Sequence, residues 1–380
     1  MAQRLQTDWI LFLTVTVLVC FGLVMVYSSS SIVAELKFNV DTTHFVIRQL
    51  GWAVGSFLIL LYAMKRDYRM WNNPKVAFAG LGVVILLLVV VYVTDGTSHR
   101  WLKAGPFSLQ PSELAKPALA LFLAFFLSRR MGAMNEVHTL GPIAIAISLM
   151  ALAVAVADLG TAVVLVVTTV AVIFVAGVDY RYLVVCAVLG GLLGVGFIAM
   201  KPYRLARIID FVDKDHKLLN KIDPKNHIIN YSHNTASTSD PGYQQLQSKI
   251  AIGSGGFLGV GLMGSRQKLL FLPYPHTDFI YAVVGEETGL VGAVLLLAGF
   301  VVILWRGIRT YIRAEDNFGR YLALSACVCV VIQALVNISV VVDLMPNKGI
   351  PLPFISSGGT SLLSTMMLMG MLLSVSESTA

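Results

Sequence analysis

Apolar runs of membrane length recur along the whole chain, starting with "WILFLTVTVLVCFGLVMVY" at residues 9–27. A hydrocarbon core takes about 20 apolar residues per spanning helix, and within lipid only helices and closed barrels satisfy their own backbone polar groups. The runs fall at 9–27, 46–64, 76–94, 113–128, 142–157, 160–178, 182–200, 279–305, 320–342 and 359–375. They predict an all-α polytopic membrane protein of about ten transmembrane helices. Hydrophobic residues make up 57% of the chain and charged residues 13%, a balance outside the range of soluble domains. The first run is long and lacks an A-x-A cleavage site, so it reads as a retained span. Residues 1–380 read as a single membrane domain, with one large segment, 201–278, between the seventh and eighth helices.

Charge sets the expected orientation. Lys65, Arg66, Arg69, Arg129, Arg130 and the Arg306–Arg320 group share one side with the N-terminus, whereas the opposite short loops hold only Lys37, Arg48, Arg100, Lys103 and Lys348. The positive-inside rule then puts both termini in the cytoplasm and 201–278 outside, because a loop of that length translocates regardless of its charge. The net charge of +7 follows from this bias and from the basic outer loop, so it gives no ground for nucleic-acid binding. Cys20, Cys186, Cys327 and Cys329 all lie in predicted spans, which leaves neither a disulfide framework nor a CxxC metal site. No repeat of fixed period is visible, and "NYSHNTASTSD" near 230–240 reads as a flexible part of the outer loop.

Charge placed next to lipid is the informative part, since an ionised side chain at a helix centre costs about 2.5–3.5 kcal/mol on insertion scales. In "RWLKAGPFSLQPSELAKPA" at 100–118, Glu113 and Lys116 stand one helical turn apart and are spaced to pair. Trp101 there reads either as an interfacial anchor or as a stacking surface for a sugar. The glycine-rich "GSGGFLGVGLMGSRQK" at 253–268 lacks the strand–turn–helix context of a dinucleotide fingerprint. It reads as a tight loop presenting Arg266 and Lys268 outward, where two cations hold a phosphate or rest against headgroups. In "FLPYPHTDFIYAVVGEETGLVG" at 271–292, Pro273 and Pro275 break any preceding helix. Asp278 then falls at the mouth of a new one, as a cap or as a reactive carboxylate. Glu286 and Glu287 follow roughly 12 Å deeper and must face protein or water.

These segments carry a resemblance. The chain is similar to the SEDS family (shape, elongation, division and sporulation), the FtsW and RodA type of cell-wall polymerase. The matching motifs run in family order, from "GLVMVYSSS" at 22–30 through "RW" at 100–101, "QPSELAK" at 110–116, "DLGTA" at 158–162 and "GYQ" at 242–244. They continue through "AIGSGGFLGVGLMGSRQK" and "LPYPHTDFIYAVVGEETGLVG" to "KGIPLPFISSGGTSL" at 348–362. "SRQK" shortly before "HTDFI", and "PNKG" at 346–349, resemble the division-type FtsW branch more than the elongation-type RodA branch. The chain departs from the family pattern in a long polar insert near 213–240 and in "SSGGT", where an aromatic usually precedes the glycines.

The resemblance implies a peptidoglycan glycosyltransferase of the bacterial cytoplasmic (inner) membrane that polymerises lipid II on the outer face. An acceptor hydroxyl attacks the donor's anomeric carbon, and undecaprenyl pyrophosphate leaves. Such chemistry needs a base and positive charge at the leaving group. By its place in "HTDF", Asp278 would be the base, with His276 as its hydrogen-bonding neighbour. Arg48, Arg204, Arg266 and Lys268 are the candidates for the pyrophosphate, and Glu113 with Lys116 would shape the cavity. A lipid II flippase is the alternative activity. The family's usual partner is a single-pass class B penicillin-binding protein. No set of outer carboxylates has metal-ligand spacing, so no cofactor is assigned and a divalent cation stays open.

Overall fold

The computed structural model describes residues 7–95, 100–104, 107–199, 241–269, 271–273 and 275–378. Arg4, Arg204 and the polar insert at 213–240 lie outside these residues. The helices are α1 (Trp9–Phe38), α2 (His44–Lys65), α3 (Pro74–Thr94), α4 (Pro111–Ser128), α5 (Val137–Ala157), α6 (Leu159–Val175), α7 (Tyr180–Ala199), α8 (Pro241–Gly255), α9 (Ile280–Arg313), α10 (Asn317–Val341) and α11 (Gly359–Glu377). A small antiparallel hairpin, β1 (Leu102–Ala104) and β2 (Phe107–Leu109), precedes α4. Every predicted span coincides with a helix. Among the described residues eight helices cross a membrane by length and composition, and α6 is a shorter apolar helix. Among the described residues, α8, rich in glutamine and only 15 residues long, is the helix that matches no predicted span.

Local chemistry sets several of the helix starts. Asp8, Asn73, Asp158 and Asp316 each accept a backbone N–H from the first turn of α1, α3, α6 and α10, and Pro74 and Pro111 occupy first-turn positions where no donor is needed. The two ends of the described chain meet at one end of the bundle. There Arg306 pairs with Asp8 at 2.6 Å, Thr7 donates to Glu377 at 2.7 Å, Ser374 donates to the Arg66 carbonyl, and Tyr68 donates to Asp316.

The bundle has an inner and an outer layer. In the most apolar 18-residue stretch of each helix, 83% of residues are buried in α4 and α11 and 67% in α10, against 22–39% in α1, α2, α3, α5 and α9. The polar residues of α4, α10 and α11 are therefore held inside protein, as the cost of ionised groups in lipid requires.

Part of the expected outer loop is built into the bundle. α8 runs alongside α9, with Ser248 donating to the Val341 carbonyl at 2.7 Å and Gln245 to the Met345 carbonyl at 2.9 Å. The chain then turns through 256–264 against a break in α9, where Gly289 sits at φ 66° and ψ −165°. Val260 and Gly261 donate to the carbonyls of Glu286 and Glu287, and Leu290 and Val291 donate to those of Gly256 and Phe257. This cross-pairing satisfies irregular backbone about 13 Å below the start of α9, a depth at which unpaired amides are costly. Only glycine fits at the crossing, since Gly259 has φ +81° and a Cβ on it would meet the Glu287 carbonyl oxygen at 2.2 Å.

Candidate functional site

Between α10 and α11 the chain runs without helix from 343 to 358, much of it buried. Buried irregular backbone needs side-chain partners, and three amides supply them. Gln333 donates to the Pro351 carbonyl at 2.8 Å and Asn337 to the Ile350 carbonyl at 2.7 Å. Gln49 accepts from the Gly358 amide at 3.2 Å and donates to the Ser356 carbonyl at 3.4 Å.

The "HTD" stretch is fastened to this segment. Asn337 also donates to the Asp278 carbonyl at 2.8 Å, the Ser356 hydroxyl donates to the Thr277 carbonyl at 2.6 Å, and the Ser357 amide donates to the His276 carbonyl at 2.9 Å. Asp278 stays partly exposed, while His276 is buried with its ring 4.9 Å from that of Phe45. A Cβ on Gly349 would lie 2.5 Å from Asp278 Oδ2, so the bare backbone of the 343–358 segment abuts the carboxylate. α9 begins at Ile280 with Phe279 at its cap position, and Phe279 itself makes no side-chain cap hydrogen bond.

Beneath this layer lies the pair expected from "QPSELAK". Lys116 Nζ is 2.5 Å from Glu113 Oε2, with the two residues 2% and 1% exposed. Lys116 also donates to Gln333 Oε1 at 2.6 Å, and Ser364 donates to Glu113 at 3.3 Å. Gln333 thereby links the buried pair to the Pro351 carbonyl, and the two motifs form one connected network.

The expected cations do not all gather here. Arg48 is exposed and donates to Ser108 Oγ at 3.0 Å. Arg266 is exposed, and its backbone amide donates to Glu286 Oε1 at 2.8 Å. Lys268 corrects the expectation of an outward-facing pair. It is 0% exposed, because its ammonium lies 2.7 Å from Glu287 Oε1 and donates to Ser28 Oγ at 3.1 Å. Arg204 lies outside the described residues. Trp101 is half-buried, and its amide donates to Asp95 at 3.3 Å. Among the described residues no group of three or more His, Cys, Asp or Glu is arranged to hold a metal ion.

Several residues of this network were not singled out from sequence. Gln333 and Asn337 stand four apart in "VIQALVNISV", two amides on one face of an apolar run, which is a readable sign of a buried polar role. Asp158, at the start of α6, is held by Arg100 at 3.1 Å, Gln110 at 3.2 Å and Thr161 at 3.0 Å. Gly160 beside it packs against Ile350, whose side chain a Cβ would meet at 2.5 Å. The Asp158 cluster therefore adjoins the segment that flanks Asp278.

Fold and site together define a multi-pass α-helical membrane protein with a polar, ion-paired network at the end of the bundle opposite its termini. Residues 8–380 match the sequence model of the FtsW/RodA/SpoVE cell cycle protein family, and the chain belongs to that family. It is 38% identical over 376 residues to a protein of Geobacter metallireducens named probable peptidoglycan glycosyltransferase FtsW, covering 97% of this chain and 94% of that one. It is 35% identical over 380 residues to stage V sporulation protein E of Bacillus subtilis, covering 99% and 98%. Among solved structures, one chain of a peptidoglycan synthase complex superposes with a TM-score of 0.75 at 26% identity, covering 98% of each chain. The Thermus thermophilus rod shape determining protein RodA superposes with a TM-score of 0.66 at 26% identity, covering 98% of this chain and 97% of RodA.

Proposed function

We propose that this chain is a peptidoglycan glycosyltransferase that polymerises lipid II, with Asp278 as the general base. The observation that carries the reading is the fixing of a partly exposed carboxylate, through Asn337, Ser356 and Gly349, above a buried Glu113–Lys116 network. Relatives named as probable peptidoglycan glycosyltransferases support the substrate class. In the reaction, the Asp278 carboxylate takes the proton of the acceptor hydroxyl as its oxygen bonds to the donor's anomeric carbon. The bond from that carbon to the pyrophosphate breaks, and undecaprenyl pyrophosphate departs with the electron pair. Of the four cations expected from sequence, Arg48 and Arg266 are exposed and are assigned to the leaving group, because Lys268 is committed to Glu287 and Arg204 lies outside the described residues.

The basic residues on the same end as the termini support a cytoplasmic position for both termini and an extracytoplasmic one for Asp278. Relatives named FtsW, at 36% and 38% identity, support the division-type branch. A single-pass class B penicillin-binding protein is the proposed partner, in line with the likeness to a chain of a synthase complex.

The test is reconstitution in vesicles that carry lipid II, following strand formation and lipid II movement between leaflets separately. Glycan strands are the expected product. Lipid II that crosses the bilayer and is recovered unpolymerised would assign the flippase activity instead.

Gly349 gives a finer check. Alanine there forces the Asp278 carboxylate aside, and misplacement of a reacting group by about 1 Å costs on the order of a hundredfold in rate. Gly349→Ala is expected to lose most turnover while keeping its unfolding temperature. Gly51→Ala, with nothing within 4 Å of the added atom, serves as the control and is expected to keep wild-type turnover.

A further inference from the structure

Glu286 and Glu287 stand side by side in α9, buried, and the base mechanism does not use either of them. Their carboxylates converge on one short segment. Glu286 accepts from the Ser265 hydroxyl at 2.5 Å, from the Arg266 amide at 2.8 Å and from the Gln267 amide at 3.4 Å. Glu287 accepts from the Lys268 ammonium at 2.7 Å and from the Ser28 hydroxyl of α1 at 2.7 Å. Four successive residues, 265–268, are thus pinned to the side of α9 about 9 Å below its first residue.

From that anchor the described residues 269, 271–273 and 275–279 are outside any helix, and the chain enters α9 at Ile280, just past Asp278. Asp278 therefore rides on a closed loop with two fastenings. The upper one is the Asn337 and Ser356 contact already described. The lower one is the pair of glutamates, and the glycine crossing at 259 and 289 prevents it from sliding along the helix. Buried ionised groups tolerate only a narrow geometry, because a displaced partner leaves an unsatisfied charge. A loop held this way has few positions open to it.

We infer that Glu286, Glu287 and Lys268 are positioning residues for the reaction: they clamp the 265–278 loop so that Asp278 is presented at a fixed height against Gly349. The inference rests on the reading of Asp278 as the base. It also answers why charge is spent in this apolar run: the two carboxylates take the donors of 265–268.

The test separates positioning from plain stability. Lys268→Met with Glu287→Leu removes both charges and leaves neither unpaired, a replacement that is often neutral for folding. The double variant is expected to unfold within about 3 °C of wild type. Its turnover should fall at least about tenfold with its KM for lipid II within about threefold, the pattern of a lost transition-state contribution. Hydrogen exchange gives a readout apart from activity: amides in 265–278 should exchange faster, with those of α10 unchanged. Turnover within about twofold of wild type, or unchanged exchange in 265–278, would overturn the clamp. Should the double variant not fold, Ser265→Ala decides, because it removes one hydroxyl and keeps the Lys268–Glu287 pair and the two backbone amides on Glu286 in place. Faster exchange at 265–268 with lowered turnover supports the clamp, and wild-type values for both overturn it. Asp278→Asn measured alongside keeps the two claims apart. If Asp278→Asn is inactive and the clamp variants are wild-type, the clamp fails and the base reading stands; an active Asp278→Asn removes the base reading itself.

Discussion

Asp278→Asn is expected to be as inactive as Asp278→Ala, with both proteins inserted and folded. The amide keeps the size and the hydrogen-bonding outline of the carboxylate but cannot take a proton, and general-base catalysis accounts for about 10²- to 10⁴-fold in rate. The fold gives little reason for collapse in either variant. It is the Asp278 backbone carbonyl, not the side chain, that receives the Asn337 amide, and α9 starts beyond it at Ile280. Turnover of purified variants on lipid II, read beside their thermal unfolding, checks this. An asparagine variant with more than about a tenth of wild-type turnover would remove the base role.

The second large effect belongs to Glu113 and Lys116. Removing either partner leaves a buried charge alone, at a cost of about 3–5 kcal/mol, which is a large share of a typical domain's stability. Glu113→Ala and Lys116→Ala are each expected to lose most folded protein. Glu113→Gln combined with Lys116→Met, which removes both charges and retains the volume, should recover much of it. The recovered fold is not expected to be fully active, since Lys116 also donates to Gln333 and through it steadies the Pro351 carbonyl. The measurement is the double-mutant cycle of Glu113→Gln, Lys116→Met and their combination in unfolding free energy. A coupling below about 0.5 kcal/mol would contradict an interaction seen at 2.5 Å.

The membrane layout was legible because period and length speak for themselves: each run of apolar residues became a helix. The Glu113–Lys116 spacing was legible for the same reason, as both residues lie on one helix with a fixed pitch. Lys268 was misjudged because its partner is set by tertiary structure. Nothing local announces that α9 breaks at Gly289 or that the glycine loop docks into that break, bringing Lys268 beside Glu287 and Ser28. The glycine-rich 253–268 reads locally as a tight outward loop, whereas Gly255 and Gly259 sit where its backbone crosses that of α9 too closely for any side chain. The role of Asn337 and Gln333 was written in the sequence but overlooked, as amides in a span cost less than charges and draw less notice.

The central claim is that this chain makes glycosidic bonds, and the most direct measurement counts both products. Purified protein supplied with lipid II should form glycan strands and release about one undecaprenyl pyrophosphate for each disaccharide unit added, in keeping with bond exchange at the anomeric carbon. Lipid II recovered intact, with no strands and no pyrophosphate released, either alone or together with a class B penicillin-binding protein, would contradict it.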